Sequence, residues 1–234
     1  MGGRLPAALY PWAFRLGVVL AIASWTGAAG ALLATRGRLP GLTQSALLEA
    51  ESALSRGDAR KAISEYRRAA QVSAGDFPLL LGVGEGLARA GDMQGAMDTF
   101  AKAQALRRHS TELQTSLGWA LFWRRRFDEA RAQFDQVLRR DPSSARAYAG
   151  VGEVWLEQDR YPEAQAALLK AIAIDPTDAT VHNNLGITYA LSGQPDKAVE
   201  HFSIAGRLST GPEFSANLSR AKAALEAAGR GGGR

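Results

Sequence analysis

The chain has 234 residues, no Cys and a formal net charge of +5 at pH 7. The absence of Cys excludes disulfides, thiol nucleophiles, thiolate metal sites and a lipid-modified N-terminal Cys. The positive charge suggests nucleic acid, but residues 1–42 hold four Arg and no acidic residue, whereas residues 43–212 are nearly neutral. Because a nucleic-acid module carries its basic footprint on the folded surface, we predict no nucleic-acid partner.

A basic segment, 1–15, is followed by the first predicted element, an apolar run at 16–35. Residues 16–34 carry no charge, and Arg15 and Arg36 bracket them. Since about 20 apolar residues span a bilayer as a helix, we predict a transmembrane helix at 16–35. The alternative is a cleaved secretory signal, because Ala29-Gly30-Ala31 has the A-x-A form of a cleavage site after an apolar core.

The predicted membrane orientation rests on Arg residues at both ends of the apolar run. Arg4, Arg15 and the amino terminus narrowly outnumber Arg36 and Arg38, and the more positive flank stays in the cytoplasm. We therefore place the chain in a bacterial inner membrane with its folded part in the periplasm. A soluble periplasmic protein, released by cleavage, is the alternative. A Gly/Pro linker at 36–42 would keep the folded part near the membrane.

Beyond the linker, the sequence repeats every 34 residues. Small residues recur at one position of the repeat, and a large, mostly aromatic residue recurs at another. The small residues are Ala50, Gly84, Gly118, Gly152 and Gly186, and the large ones are Tyr66, Phe100, Phe134, Leu168 and Phe202. Five units without insertions follow, at 43–76, 77–110, 111–144, 145–178 and 179–212. A period of roughly 20 to 50 residues indicates a solenoid, a propeller or a similar array.

Each unit reads as two helices joined by a tight turn. In 145–178, apolar residues fall at helical spacing before and after Asp159-Arg160. Three other units carry Gly57, Gly91 or Gly193 at the turn, where Gly tolerates the left-handed backbone of a helix terminus. The small residues mark the point where the two helices approach closely, and the large residues fill the space beside that contact.

These residues carry a resemblance to the tetratricopeptide repeat. The fifth unit, with Leu185-Gly186, Tyr189, Gly193, Ala198 and Phe202, matches the pattern of that family almost completely. The resemblance covers 43–212 and implies an all-α, right-handed superhelical solenoid of helix-turn-helix repeats, which here would follow the N-terminal transmembrane helix. The first unit departs from the pattern with Glu49, as a degraded end unit would.

The resemblance implies a protein or peptide partner held in a concave groove. Groove positions of the family, carried over to this sequence, select the aromatic residues Trp119, Phe122 and Trp123 in the third unit, Arg146, Glu153 and Glu157 in the fourth, and Asn183 and Ile187 in the fifth. We predict an aromatic floor with polar orienting groups, the usual make-up of a binding hot spot. Packing of Phe122, or of one Trp, between adjacent units is the alternative.

The rest of the chain offers no catalytic or metal-binding motif. His109, His182 and His201 are predicted to lie far apart in the stack, with His182 at a packing position, so we expect no metal site, cofactor or small-molecule substrate. An amphipathic helix at 213–228 would cap the last unit, and the tail at 229–234 is predicted to be disordered. The sequence as a whole predicts a non-catalytic scaffold or adaptor that supports assembly of a membrane or envelope complex.

Overall fold

The computed structural model describes residues 41–72 and 75–231. Within them the chain forms eleven α-helices and no strand. The helices are α1 (Gly41–Ser55), α2 (Ala59–Val72), α3 (Phe77–Ala90), α4 (Met93–Leu106), α5 (Thr111–Trp123), α6 (Phe127–Arg140), α7 (Ala145–Glu157), α8 (Tyr161–Ile174), α9 (Ala179–Leu191), α10 (Pro195–Leu208) and α11 (Pro212–Gly231). The prediction of an all-helical repeat array is confirmed.

The basic segment, the candidate transmembrane helix at 16–35 and the linker up to residue 40 lie outside the described residues. Among the helices that are described, none combines the length and the apolar character that a membrane crossing requires. The transmembrane helix and the right-handed sense of the superhelix therefore stay predictions.

The described helices divide into two compact units. Helices α1 to α6 lie in residues 41–142, and α7 to α11 lie in residues 143–231. In each unit every odd-numbered helix up to α9 packs against the even-numbered helix that follows it, so that each 34-residue window contains one helical hairpin. Each unit has its own apolar core, the first built around Tyr66 and Phe100 and the second around Leu168 and Phe202.

A recurring polar residue starts the first helix of four repeats. Asp76, Ser110, Ser144 and Asp178 stand 34 residues apart, immediately before α3, α5, α7 and α9. Each side chain accepts a hydrogen bond from a backbone N–H of the first turn, for example Leu79 N to Asp76 Oδ1 at 3.0 Å. Such caps satisfy N–H groups that have no partner inside the helix and stabilise it by about 1 kcal/mol.

The inter-helix turns require a left-handed residue, and the sequence supplies Gly at only three of them. Gly57, Gly91 and Gly193 have φ angles of 78°, 96° and 78°. At the same point in the third and fourth repeats, Arg125 and Asp159 adopt φ angles of 58° and 60°. The backbone thus keeps the same turn at a steric cost in these two repeats, because a Cβ is disfavoured in the left-handed region.

Glycines of the first helices lie directly beneath the large residues of the second helices. A Cβ built on Gly84, Gly118 or Gly186 would stand 2.4, 2.6 or 2.8 Å from the ring of Phe100, Phe134 or Phe202, respectively. Gly152 meets Leu168 in the same way, at 2.6 Å. The small and large series in the sequence are therefore two halves of one contact, which explains why both recur with the same period.

In the first repeat the large residue packs elsewhere, because Ala50 occupies the position that is Gly in the other four repeats. The ring of Tyr66 lies against Gly86 of the next repeat, where an added Cβ would stand 2.3 Å from Cζ. At the other end of the chain, α11 buries Phe214 and Ala221 and packs against α10. This helix continues to Gly231, beyond the predicted end at 228, and residues 232–234 lie outside the described part.

Candidate functional site

The three aromatic residues singled out in α5 form one cluster. Trp119 stacks on Trp123 with ring centres 5.9 Å apart and an interplanar angle of 29°, as expected for residues four apart on one helix. Phe122 meets Trp119 edge-on, with ring centres 5.7 Å apart. The three rings therefore lie together, which is the arrangement that an aromatic floor needs.

The aromatic cluster also belongs to the packing of its own repeat. Trp119 packs edge-on against Phe134 of α6, with ring centres 5.3 Å apart. Phe122 packs against Phe127 at the start of α6, with ring centres 5.6 Å apart. Trp119 and Phe122 are each 3% exposed, whereas Trp123 is half-buried. The contacts of Phe122 with the aromatic rings of Trp119 and Phe127 thus lie within the third repeat.

A polar network reaches the cluster from the first two repeats. Glu51 of α1 accepts a hydrogen bond from Arg89 Nη2 of α3 at 2.9 Å and another from the Tyr66 hydroxyl at 2.5 Å. The Arg89 guanidinium lies 6.0 Å from the centre of the Trp123 ring. Burial, with the neighbouring Glu51 carboxylate, raises the pKa of Tyr66, which therefore stays a neutral hydrogen-bond donor.

Helices α1, α3 and α5 thus place Glu51, Arg89 and Trp123 in one continuous row within residues 41–142. The indole N–H of Trp123 is buried and has no hydrogen-bond partner among the described residues. Glu51 and Arg89 were not among the predicted site residues. The 34-residue period could have identified them, since Glu51 shares a repeat position with Trp119 and Arg89 shares another with Trp123.

Glu85 lies next to this row and is 1% exposed. Its carboxylate accepts a hydrogen bond from the hydroxyl of Ser116, which belongs to the same helix as the two tryptophans. Glu85 of the second repeat therefore interacts with a side chain of the third repeat that lies 31 positions later in the sequence.

The second unit repeats that pairing with Glu153 and Asn184. Asn184 Nδ2 donates to Glu153 Oε1 at 2.8 Å, and both side chains are buried. Burial, with smaller contributions from the Asp178 and Glu157 carboxylates, raises the pKa of Glu153 to about 8. Glu153 is therefore mostly neutral at pH 7 and serves as a packing link between two repeats.

The other predicted site residues of the second unit differ in accessibility. Asn183 is 0% exposed and accepts a hydrogen bond from Asn217 Nδ2 of α11 at 2.8 Å, and Ile187 belongs to the apolar core. Arg146 and Glu157 are half-buried. The structure thus leaves these last two side chains more accessible to a partner than Asn183 or Ile187.

The expectation that His182 and His201 lie far apart is wrong. Their Nδ1 atoms are 3.1 Å apart, across the two helices of the last repeat. The sequence separation of 19 residues brings the two imidazoles together because α9 and α10 run antiparallel and the turn between them is short. Within residues 41–72 and 75–231, no three His, Cys, Asp or Glu side chains converge in a way that could hold a metal ion.

The helical hairpins, the recurring caps and the rings packed on glycines together define a helical-repeat protein. Models of the tetratricopeptide repeat match residues 47–111 and 115–179, and a further model of that repeat matches 167–200. The first two segments alone cover more than half of the sequence, and the chain belongs to the tetratricopeptide repeat family. No curated protein sequence matches it.

Solved structures of repeat proteins resemble this chain at low sequence identity. TTC0263, a thermophilic TPR protein of Thermus thermophilus, aligns with a TM-score of 0.61 and 17% identity over 76% of this chain and 98% of its own. The APC/C hetero-tetramer Cut9–Hcn1 aligns with a TM-score of 0.54 and 24% identity over 74% and 35%. The MamA protein gives 0.45 and 23% over 71% and 91%. The first two support the fold.

Proposed function

We propose that this chain is a non-catalytic scaffold that binds a protein or peptide segment on the face of its repeats. Of the residues predicted from the sequence, those proposed to contact the partner directly are Trp123, Arg146 and Glu157, whereas the buried residues Trp119, Phe122, Glu153, Asn183 and Ile187 are proposed to support them from beneath. Fold alone does not specify a partner, so the proposal rests on the chemistry of individual side chains. Trp123, Arg146 and Glu157 are the half-buried members of the set and are the first candidates for mutation.

The observation that carries this proposal is the environment of Trp123. Its ring is stacked on Trp119 on one side and lies near the Arg89 guanidinium, so its position is well determined before any partner binds. Its indole N–H is buried, so the exposed part of the ring is apolar. A half-buried aromatic ring that is held rigidly is suited to contact with an apolar segment.

Cross-linking tests the binding face. A benzophenone amino acid at position 123 is expected to give a discrete product with one partner protein, whereas the same group at position 97 should not. Met97 is the matched control because it is 47% exposed and lies on α4, a second helix of the same unit. Equal products from both positions would contradict the proposal.

Trp123→Phe keeps an aromatic ring at this position. We expect the partner identified by cross-linking to bind only about two- to fivefold more weakly, because the smaller ring buries less apolar area. Trp123→Ala should weaken binding by about tenfold or more, because it removes the aromatic contact. Isothermal titration measures both, and thermal melting of each variant serves as the folding control. Unchanged affinity in Trp123→Ala would exclude Trp123 from the interface.

We further propose that residues 16–35 anchor this scaffold in a bacterial inner membrane, where it supports assembly of an envelope complex. The uncharged run and its flanking Arg residues support the anchor. The full-length protein is expected to remain in carbonate-washed membranes and to keep residues 16–35. A mature protein that starts at Leu32 and appears in the periplasmic fraction would replace this proposal with the soluble alternative.

A further inference from the structure

The two imidazoles of the last repeat meet nitrogen to nitrogen. His182 on α9 and His201 on α10 have Nδ1 atoms 3.1 Å apart, ring centres 5.4 Å apart and ring planes 25° apart. The distance between ring centres exceeds the distance between nitrogens by about two ring radii, so the rings lie nearly in line and not face over face. This is the geometry of an N–H···N hydrogen bond. Two lone pairs directed along one line do not converge on a common metal ion.

The surroundings of His182 determine where the proton lies. His182 Nε2 is 3.2 Å from the carbonyl oxygen of Pro176, which only accepts, so Nε2 carries a hydrogen. A neutral His182 then has a lone pair on Nδ1, and His201 must donate to it from its own Nδ1. The pair therefore connects the segment before α9, α9 itself and α10 through two hydrogen bonds.

One additional proton is compatible with this arrangement, and a second is not. The first can occupy His201 Nε2 without disturbing the bond between the two Nδ1 atoms. The second would have to occupy His182 Nδ1, which would set two N–H groups and two positive charges against each other at about hydrogen-bond distance. Full protonation of the pair therefore requires the two imidazoles to separate.

Tyr189 of α9, Glu200 of α10 and Asp178 at the cap of α9 interact with the pair. Tyr189 of α9 presents its ring to His201 with ring centres 5.4 Å apart. Burial and the neighbouring His182 lower the pKa of His201, and Glu200, an exposed residue, opposes them more weakly. Asp178, the cap of α9, is the carboxylate that interacts with His182.

We propose that His182 and His201 form an acid-sensitive clasp, which joins α9 to α10 when both imidazoles are neutral and opens when both are protonated. Opening would loosen the last repeat together with α11, which packs on α10. The inference does not depend on the proposed binding function. Residues 41–142 hold a single histidine, His109, and therefore cannot form such a pair.

Hydrogen exchange of the full-length protein at pH 7 and pH 5, corrected for the intrinsic effect of pH, tests the clasp. Because a histidine in the unfolded chain takes up a proton near pH 6.5, the ratio of protection at pH 5 to protection at pH 7 in α9 and α10 is expected to be about tenfold lower in the unsubstituted protein than in His201→Gln. Helices α3 to α6 supply the internal reference. His109→Gln, at an exposed position, should give the same ratio as the unsubstituted protein. Equal ratios in His201→Gln and in the unsubstituted protein would overturn the proposal.

Glu153 and Asp178 also titrate in this unit, and their effect has the opposite sign. Burial raises the pKa of each, so acidification favours the folded state at these two groups. Comparing each variant with the unsubstituted protein at the same pH cancels their contribution. The difference between the two proteins thus reports on the histidines.

Imidazole NMR of the unsubstituted protein gives a second test that needs no substitution. At pH 7 we expect His182 with its hydrogen on Nε2 and His201 with its hydrogen on Nδ1. On acidification we expect two separate midpoints, with the hydrogen bond between the two Nδ1 atoms lost at the lower one. Two independent midpoints near pH 6.5, with that hydrogen bond intact below both, would contradict the clasp.

Discussion

Replacing Glu153 by Gln is expected to stabilise residues 143–231 by several kcal/mol at pH 9 and to have little effect at pH 5. Glu153 is 6% exposed, and its carboxylate accepts a hydrogen bond from Asn184, a neutral amide. A charged carboxylate in that environment has lost its hydration without gaining a cation. Gln keeps the oxygen that accepts from Asn184 Nδ2 and cannot become charged.

The sign of this change in stability follows from the pKa of Glu153, which burial raises to about 8 from an ordinary value of 4.5. Below pH 4.5 both the folded and the unfolded carboxyl are protonated, so the side chain has no pH-dependent effect. Between pH 4.5 and about 8 the unfolded chain loses its proton first, and the free energy of unfolding falls as the pH rises. At roughly 1.4 kcal/mol for each factor of ten in proton affinity, the full loss is on the order of 5 kcal/mol.

Urea unfolding at pH 5, 7 and 9, followed by the fluorescence of Trp155 in the same unit, measures this effect. The unsubstituted protein should lose stability across the series, and Glu153→Gln should lose much less. Glu157→Gln is the matched control, because it removes a carboxylate that raises the pKa of Glu153 and leaves the buried group in place. Parallel pH profiles for Glu153→Gln and the unsubstituted protein would show that Glu153 is ionised in the folded state.

Phe134→Ala is expected to lower the free energy of unfolding of residues 41–142 by about 3–5 kcal/mol. Phe134 is 0% exposed, its ring covers Gly118, and Trp119 packs edge-on against it. Removing the ring leaves a cavity that Gly118 cannot fill, because it has no side chain. The loss is comparable to the whole stability of a small domain.

Phe134→Leu provides the matched comparison, because Leu168 occupies the same repeat position above Gly152 in the fourth repeat. We expect this variant to lose clearly less stability than Phe134→Ala. Thermal melting and urea unfolding of both variants measure the difference. If both cost the same, the cavity above Gly118 is not the cause, and the aromatic contact with Trp119 would account for the loss.

Much of the fold follows from residues that recur every 34 positions. A Gly on one helix and a ring 16 residues later, on the next, specify a close helix pair, since only a residue without Cβ admits the ring. The caps Asp76, Ser110, Ser144 and Asp178 recur with the same period and could also have been predicted from the sequence. The left-handed turn persists at Arg125 and Asp159, because the packing of the two helices determines the backbone there more strongly than the local residue does.

The candidate site was less predictable. The spacing of the tryptophans of α5 predicts that their rings lie together, as they do, while position in the repeat selects Glu153 as a polar group for a partner. A polar side chain at the repeat position of Glu153 faces another repeat if the residue 31 positions later can hydrogen-bond to it. For Glu153 that residue is Asn184. A periodic pattern identifies the position and does not identify its neighbour.

The sequence by itself determined the helical repeat, its period and the family, because these depend on short-range spacing that recurs along the chain. Only the tertiary structure decided which titratable and polar groups meet: His182 with His201, Arg89 with Glu51, and Asn217 with Asn183. The physical reason is that the protonation state and accessibility of a side chain are set by burial and by partners on other helices. Those partners lie 19 to 38 residues away in these three pairs.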